Sequence, residues 1–600
     1  GKKVTLHLEI DPCSIPFGDY AFWGNPVLFS EEPDPKAIPV VLISCDTMRA
    51  DHLSCYGYAR ETSPILDRWA REEAVLFEYA ITPETYTLPA HISMLTGLFP
   101  KNHQVSPYTN LAENVVTLPQ WLRQRGYITA GFVSHNWWLM PWRGFAQGFD
   151  LYNATELPFR HIYDTSSLIA QWLDDHQAEK RFLFFHNYDI HSKLNAYGAE
   201  KYRLPYDPGD DEFRIFSYGL DANKAFKDST KHTLSATDLL KAFNLGNISF
   251  TKEEHHLINA LYDDCIRLVD HEIEELFARL RRQGLYDNAL IIVTADHGEG
   301  LNERDYYGHN SVYEEECRVP LIVRFPKAEA AGTRYQPQVQ LTDIFATVQH
   351  VLGAKHDVET DGQSLLALIR GEEEPRPTAY VQRWRSTAVR ENDRKLISEQ
   401  INYEIQWMYY HLATDPAEKN NLANDAPNLW EDMRQAHDIF YENRLEGWFL
   451  RFQAPKSNWT GQLQIQADEK IRPYLLDPKW DLTYPIPPEE DNSFQFDVDC
   501  ASGPITIQID MASSRGRLHT SFTSPRVFQT HIGEKTTPPG PSFEMLLDPM
   551  AQTWPDAPPK SPTEGPTMSI WYRPPDAERT AAQQPDEDTK AQLEALGYLE

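Results

Sequence analysis

Residues 40–51 read VVLISCDTMRAD, and residues 290–300 read LIIVTADHGEG. Each stretch begins with a run of apolar residues and leads into an aspartate, Asp46 in the first and Asp296 in the second. Unbroken apolar runs of this length are typical of parallel strands that are covered on both faces. Because parallel α/β sheets gather ligand-binding residues at the carboxyl ends of their strands, the two stretches predict a polar site at one sheet edge.

The same pattern continues along the chain. Further apolar runs lie at 128–134, 182–186 and 321–325. Helical patterns separate them, and the clearest covers 252–283, where Thr251 and Glu254 form a capping-box pair and Gly284 ends the helix. The alternation predicts an α/β fold with a largely parallel central sheet flanked by helices.

Changes of composition divide the 600 residues into further units. The predicted order is the end of a truncated N-terminal β region (1–35), an α/β domain (36–375), a small antiparallel sheet with a helix (376–450), an accessory β domain (455–575), and a linker with a terminal helix (576–600). Because the chain begins with Gly1, we also expect that an N-terminal region, with its targeting segment, is missing from this sequence.

The net charge is −32, with 88 acidic and 56 basic residues, so nucleic acid is not expected as a partner. No stretch has the roughly 18 uninterrupted apolar residues of a membrane-spanning helix. The six cysteines are scattered and lack the spacing of a metal knuckle.

Three predicted strands deliver acidic or imidazole groups to the same sheet edge: Asp46, the pair Asp296 and His297, and His191 after the run at 182–186. An aspartate that follows buried apolar residues is costly unless its charge meets a cation or hydrogen-bond donors. A simpler interpretation is that Asp46 and Asp296 only cap the following helices. The combination of two aspartates with an adjacent histidine favours a metal site.

Residues 84–100, ETYTLPAHISMLTGLFP, carry the most specific motif. Thr87-Leu88-Pro89-Ala90-His91 and the later LTGLFP resemble the nucleophile motif of the sulfatases in the alkaline phosphatase superfamily. The resemblance covers about residues 36–425 in the order of that family. It implies an alkaline phosphatase-like fold, with Thr87 at the nucleophile position and one divalent metal ion held by a set of four residues: Asp46, Thr87, Asp296 and His297.

The residue types at this site depart from the sulfatase pattern. Sulfatases convert Cys or Ser to formylglycine, which threonine cannot form, and His91 replaces the arginine of their modification motif. Related phosphate-transferring enzymes use an unmodified Thr or Ser, so Thr87 shifts the interpretation from sulfate towards phosphate. His297 stands where calcium-binding relatives have Asn, which favours zinc or manganese over calcium.

The resemblance also suggests residues for the anionic substrate. His309 and His191 are candidates for catalytic groups, while Asn110, Arg49 and His91 are candidates for binding the substrate. Simpler alternatives remain open: His309 as a surface residue, and Arg49 in an ion pair with Asp51. His186 is interpreted as a core histidine.

The leading hypothesis is a metal-dependent hydrolase or transferase of phosphate mono- and diesters, with Thr87 as nucleophile and a small anionic ester as substrate. The alternatives are a sulfuric ester hydrolase and a catalytically silent binding or structural protein that retains the fold. The resemblance favours a periplasmic or extracellular location, and assembly into a homo-oligomer is left open.

Overall fold

The structure is a computed structural model. It describes residues 37–106, 110–134, 137–154, 162–176, 180–191, 240, 242–354, 358–383, 386–401, 404–424, 429–441, 447–453, 460–467, 471–477, 482–485, 493–499, 505–511, 517–532, 535–536, 540–547 and 567–573. The predicted N-terminal β region and the predicted terminal helix lie outside these residues.

A nine-stranded sheet forms the centre of the catalytic region. Its strands are β1 Val40–Cys45, β2 Val75–Ile81, β3 Tyr127–Val133, β4 Leu151–Ala154, β5 Lys180–Asn187, β6 Leu290–Thr294, β9 Arg318–Arg324, β10 Arg334–Tyr335 and β11 Val339–Gln340. Strands β7 Gly300–Leu301 and β8 Tyr307–Gly308 form a separate hairpin. The order is β10-β2-β9-β6-β1-β5-β3-β4, and β11 also pairs with β2. Among the described residues of the nine-stranded sheet, the antiparallel pairs are those that involve β9, which confirms the predicted, largely parallel sheet.

Helices accompany the sheets along the chain. They are α1 Pro64–Glu72, α2 Thr87–Thr96, α3 Pro100–His103, α4 Leu118–Arg123, α5 Ile162–Asp175, α6 Lys252–Arg282, α7 Glu314–Cys317, α8 Asp343–Val351, α9 Leu365–Arg370 and α10 Glu431–Tyr441. The capping box of α6 is present, since the Thr251 hydroxyl accepts from the Glu254 amide and the Glu254 carboxylate accepts from the Thr251 amide. Gly284 follows α6 with a φ of +68°, a conformation that glycine adopts without strain.

Strand β2 was not predicted. Its apolar run is interrupted by Glu78 and Tyr79, which are partly exposed, and its pairing with β9 shifts register between Phe77 and Ala80. Arg318 donates to the Glu78 carbonyl at the shift. The irregularity explains why the sequence lacks a continuous strand pattern here.

A four-stranded antiparallel sheet follows, formed by β12 Ala379–Arg383, β13 Ser386–Glu391, β14 Arg394–Ile401 and β15 Glu404–His411. Its first strand reaches the catalytic region, because the Gln382 amide donates to the Pro83 carbonyl and the Gln382 carbonyl accepts from the Thr85 amide. The Arg383 guanidinium lies 4.0 Å from the ring centre of Tyr86. The small sheet thus supports the residues that lead into α2.

The last sheet has ten strands: β16 Gly447–Gln453, β17 Thr460–Ala467, β18 Ile471–Asp477, β19 Leu482–Pro485, β20 Ser493–Asp499, β21 Ile505–Met511, β22 Leu518–Ile532, β23 Lys535–Thr536, β24 Gly540–Leu547 and β25 Thr567–Arg573. It begins at Gly447, before the predicted start at 455, because β16 pairs with β21 and β25.

Among the described residues, no helix combines the length and the apolar character needed to cross a membrane.

Candidate functional site

The carboxyl ends of β1, β5 and β6 lie side by side, because β1 is hydrogen-bonded between the other two strands. Asp46 follows β1 directly, and Asp296 and His297 follow β6. These three side chains have no exposed surface, and one ligand atom from each lies within 4.8 Å of the others. We call Asp46, Asp296 and His297 the inner cluster.

The residues of the inner cluster fit a divalent metal ion. Oδ1 of Asp296 accepts from the Thr47 amide at 3.2 Å, whereas its buried Oδ2 accepts no hydrogen bond from the described part of the chain. Burial alone would raise the pKa of Asp296, but the neighbouring imidazoles, His297 first, outweigh it and lower that pKa. Two carboxylates and an imidazole are a donor set that zinc and manganese accept.

The tautomer of His297 follows from its backbone contact. Nδ1 lies 2.9 Å from the Gly298 carbonyl, so Nδ1 donates its proton there, and in the neutral ring the lone pair belongs to Nε2. Nε2 lies 3.3 Å from Oδ2 of Asp296 and 3.4 Å from Oγ1 of Thr87. The lone pair is therefore available to the inner cluster.

Thr87 is the first residue of α2 and is buried. The preceding Tyr86 has an extended backbone, which turns the chain from the loop into the helix. Because the N-terminus of a helix carries partial positive charge, the Thr87 hydroxyl lies in a field that favours an anion. The structure thus brings the predicted nucleophile to the inner cluster.

His91 lies one turn into α2 and has no exposed surface. Its Nδ1 lies 2.7 Å from the Thr87 carbonyl and its Nε2 2.8 Å from the Ser44 hydroxyl. Burial lowers the pKa of His91 to about 4, so the ring is neutral and can donate to the carbonyl and accept from the hydroxyl. In this position His91 ties the first turn of α2 to β1.

His191, Glu299 and His309 form a second group, which we call the outer cluster; one ligand atom from each lies within 4.8 Å of the others. The hairpin of β7 and β8 creates it, because the pairing of Gly300 with Gly308 sets Glu299 opposite His309. Nδ1 of His309 lies 3.3 Å from Oε2 of Glu299, and the His309 ring lies 5.1 Å from that of His191.

The outer cluster has shifted pKa values. Burial, with repulsion from His297 and His191, lowers the pKa of His309 well below its ordinary value. Burial, with repulsion from Glu316, Asp46 and other carboxylates, raises the pKa of Glu299 well above the usual range for glutamate. This environment favours a neutral His309 imidazole over its protonated form at neutral pH.

Arg49 is buried and forms ion pairs. It donates to both carboxylate oxygens of Asp51 at 2.9 and 2.7 Å and to Glu303 at 2.5 Å. It also donates to the Glu299 carbonyl at 3.0 Å, which fixes the strand of the hairpin that carries the outer cluster. The structure therefore contains the ion pair between Arg49 and Asp51 that the sequence left open as an alternative to substrate binding.

Asn110 is exposed, and its side-chain carbonyl lies 3.4 Å from the Arg143 guanidinium. Arg143 in turn lies over the ring of Trp138, which packs against Tyr86 at 4.9 Å. Asn110 is thus connected to the residue before Thr87 through two intermediate side chains.

Sequence reasoning left out two residues at the site. His186, interpreted as a core histidine, lies 3.0 Å from Oδ2 of Asp46 through its Nε2. Glu299 was noted only as part of a motif, yet it completes the outer cluster. Glu299 and His309 lie close together in the sequence, but only the strand register shows that they face each other across a hairpin.

Gly298 allows this arrangement because its backbone lies close to α7. Its amide donates to the Glu316 carbonyl at 2.7 Å, and a Cβ at this position would lie 2.0 Å from the Glu315 carbonyl oxygen. Only glycine fits between the inner and outer clusters here.

The chain is similar to known protein families, to curated proteins and to solved structures. The family model described as Sulfatase matches residues 39–354, and the model described as N-sulphoglucosamine sulphohydrolase, C-terminal, matches residues 302–438. An N-acetylglucosamine-6-O-sulfatase of Bacteroides thetaiotaomicron is 30% identical over 28% of this chain and 32% of its own length. The chain thus spans about a third of that relative.

A longer match is the multifunctional alkaline phosphatase superfamily protein PehA of Trinickia caryophylli, 25% identical over 64% of this chain and 91% of its own. Among solved structures, the phosphonate monoester hydrolase of Agrobacterium radiobacter is similar with a TM-score of 0.52 at 20% identity, over 67% of this chain and 95% of its own. The structure of the protein BT4656 in complex with its substrate D-glucosamine-2-N,6-O-disulfate is also similar, with a TM-score of 0.52 at 19% identity, over 68% of this chain and 97% of that protein. These similarities establish the fold.

Proposed function

The chain belongs to the sulfatase family of the alkaline phosphatase superfamily, and from that premise we propose that it is a metal-dependent hydrolase or transferase of phosphate mono- and diesters with Thr87 as its nucleophile. One observation carries the proposal. The Thr87 hydroxyl lies at the start of α2, 3.4 Å from Nε2 of His297, at the edge of a buried cluster of two carboxylates and an imidazole.

The metal ion belongs to the inner cluster in this proposal. Asp46, Asp296 and His297, with Thr87, would hold it, and it would supply the positive charge that favours the alkoxide form of Thr87 at neutral pH. Two buried carboxylates with an imidazole favour zinc or manganese over calcium.

Thr87 acts on phosphorus in the first step. Its Oγ1 attacks phosphorus, its proton passes to solvent, and the bond between phosphorus and the leaving oxygen breaks. In the second step water or an acceptor alcohol attacks the phosphothreonine, the bond from phosphorus to Oγ1 breaks, and Thr87 regains a proton. The partial positive charge at the N-terminus of α2 stabilises the anionic phosphoryl group in both steps.

His309 and His191 face the leaving oxygen in this proposal. A neutral His309 can donate its N–H to that oxygen as negative charge develops there, which lowers the barrier without requiring an imidazolium. His91 holds the carbonyl of Thr87 and so positions the nucleophile. Direct contacts of Asn110, Arg49 and His91 with the substrate stay predictions.

Sulfuric ester hydrolysis is the second candidate, because an N-acetylglucosamine-6-O-sulfatase and a choline-sulfatase of Rhizobium meliloti are among the relatives. Thr87 argues against it. A sulfated threonine lacks the easy elimination that the hydrated aldehyde of formylglycine provides, so turnover should stall after one event.

Paired aryl substrates test the proposal. Initial rates with an aryl phosphate diester, the matched monoester and the matched sulfate should rank both phosphates above the sulfate. A higher kcat/KM for the sulfate would favour the second candidate. No turnover of any of the three by protein saturated with zinc or manganese would contradict the choice of substrate class.

A further inference from the structure

Arg143 is a buried arginine whose charge is not balanced by an acid. It is 8% exposed, and in the part of the chain that the structure describes no carboxylate lies within ion-pair distance of its guanidinium. Its Nε has no hydrogen-bond partner there, and Nη1 donates to the side-chain carbonyl of Asn110 at 3.4 Å. Burial lowers the pKa of Arg143, and Tyr86, not a carboxylate, opposes that effect. Since buried charges are normally paired, an anion from outside the chain would complete this environment.

Other buried arginines of the chain have the partner that Arg143 lacks. Arg49 pairs with Asp51, and Arg390 pairs with Glu314. Acids are abundant, because the chain has 88 acidic residues against 56 basic ones. The missing partner therefore reflects the position of Arg143 and not a shortage of carboxylates.

Aromatic rings and the backbone hold Arg143 in place. Its Cζ lies 4.5 Å from the ring centre of Trp142 and 5.2 Å from that of Trp138. The Leu111 amide donates to the Arg143 carbonyl at 3.0 Å, and a Cβ on the following Gly144 would lie 2.8 Å from the Cβ of Leu111. A guanidinium fixed beside aromatic rings can use its planar N–H edge to bind a planar carboxylate. Trp142, which is 44% exposed, adds an apolar face for the rest of a ligand.

Tyr86 connects Arg143 to the reacting centre. Its ring packs against Trp138 at 4.9 Å and lies 6.2 Å from the His309 ring. Tyr86 also directly precedes Thr87. A carboxylate on Arg143 would thus belong to the organic part of a substrate, with the Tyr86 ring between it and the phosphorus atom.

We propose that Arg143, with Asn110 and Trp142, forms a subsite for a carboxylate on the organic part of the substrate; we call these three residues the arginine subsite. The preferred substrates are then phosphate esters of organic acids. The subsite selects the substrate and takes no part in bond breaking. The substrate class rests on the proposed function, whereas the binding of a carboxylate can be measured without turnover.

Calorimetric binding of matched phosphonates tests the subsite, because their carbon–phosphorus bond is not the ester bond that Thr87 is proposed to break. The probes are 4-carboxybenzylphosphonate, the longer (4′-carboxybiphenyl-4-yl)methylphosphonate, and the carboxylic methyl ester of each, which lacks the second charge. We expect at least one acid to bind the parent about tenfold more tightly than its methyl ester, the effect of one charge-assisted hydrogen bond.

Variants locate the preference for the acid. Arg143→Gln should abolish it, and Arg143→Lys should keep part of it, because lysine retains the charge without the planar fork. Arg125→Gln is the matched control and should keep the full preference. The Arg125 guanidinium also lies over a tryptophan, 3.8 Å from the ring centre of Trp121, but Arg125 precedes the amino end of β3, at the sheet edge opposite the inner cluster.

Equal affinity of both acids and their methyl esters for the parent, or a preference that persists in Arg143→Gln, would overturn the subsite. If Arg143→Gln does not fold, Arg143→Lys must show the reduced preference. The same pairs with a sulfonate in place of the phosphonate separate the subsite from the proposed function. A preference for the acid that is seen with the sulfonates alone would contradict phosphate as the reacting group and would leave the arginine subsite in place.

Discussion

Nε2 of His186 lies 3.0 Å from Oδ2 of Asp46, and neither side chain has any exposed surface. Burial lowers the pKa of His186 to about 4, so the neutral ring is the form that meets the carboxylate. A neutral imidazole that donates the proton on Nε2 to Asp46 fixes the orientation of the carboxylate. The other lone pairs of the carboxylate can then bind a cation.

We therefore predict that His186→Leu keeps the fold but weakens zinc binding by about 10- to 100-fold, the usual effect of losing a group that orients a metal ligand. Competition with a chromophoric chelator measures the affinity. His350→Leu, which removes a partly buried histidine from α8, is the control and should bind as the parent does. Unchanged affinity in His186→Leu would show that His186 is only a core residue.

The inner cluster gives a second prediction. Asp296→Ala should lose the ion held there, because it removes a carboxylate with no exposed surface from the donor set. Elemental analysis of protein purified without chelator should find zinc or manganese in the parent. Calcium alone in the parent, or metal content undiminished in Asp296→Ala, would contradict the proposed ligands.

The third prediction concerns Asp270 of α6, whose carboxylate accepts from the Ile65 and Leu66 amides at the start of α1. Burial raises the pKa of Asp270 from 3.8 to about 7. The folded protein therefore holds this proton more tightly than the unfolded chain. The resulting stabilisation is complete below pH 3.8 and is lost as the pH rises to about 7.

Thermal unfolding across this pH range should show the loss in the parent and a smaller pH dependence in Asp270→Asn, which cannot ionise. Asp287→Asn makes the same change of charge at an exposed side chain and should keep the dependence of the parent. Identical pH profiles for the parent and Asp270→Asn would contradict the raised pKa.

The ten-stranded sheet gives the fourth prediction. The sequence predicted an accessory β domain at 455–575, and we predict that this unit, which begins with β16, supplies no catalytic group. Replacing 447–573 by a short linker should leave turnover of a small aryl phosphate intact, and the cut must precede β16 because that strand pairs within this sheet. A truncated protein that folds and binds metal but has lost turnover would show that this unit completes the site.

Much of the fold could be predicted because unbroken apolar runs have few alternatives. Strand β6 begins at Leu290, where the apolar run begins, and the capping box sets the start of α6 where the pattern placed it. Asp46 and Asp296 were also brought together as expected, since both follow neighbouring parallel strands. These features depend on local patterns and on one general rule of sheet geometry.

Other features depend on contacts that no local pattern records. A histidine within an apolar strand, such as His186, looks the same whether its partner is a backbone carbonyl or Asp46. Glu299 meets His309 only because Gly300 pairs with Gly308, and a shift of one residue would separate them. Likewise, β16 was assigned to the preceding unit because its partners lie far along the chain.

The last prediction concerns Thr87. Its hydroxyl lies beside Nε2 of His297, and its β-carbon carries a methyl group that prevents conversion to formylglycine. Mass spectrometry of resting protein should find unmodified threonine at this position, and rapid acid quenching during turnover of an aryl phosphate should trap phosphothreonine.

Thr87→Ala should lower kcat by roughly three orders of magnitude or more, whereas Thr87→Ser should retain part of the activity because it keeps the hydroxyl. Thr96→Ala, at the other end of α2, controls for damage to the helix and should remain active. If Thr87→Ala hydrolysed phosphate esters as fast as the parent, the nucleophile would have to be water, and the phosphothreonine intermediate would be excluded.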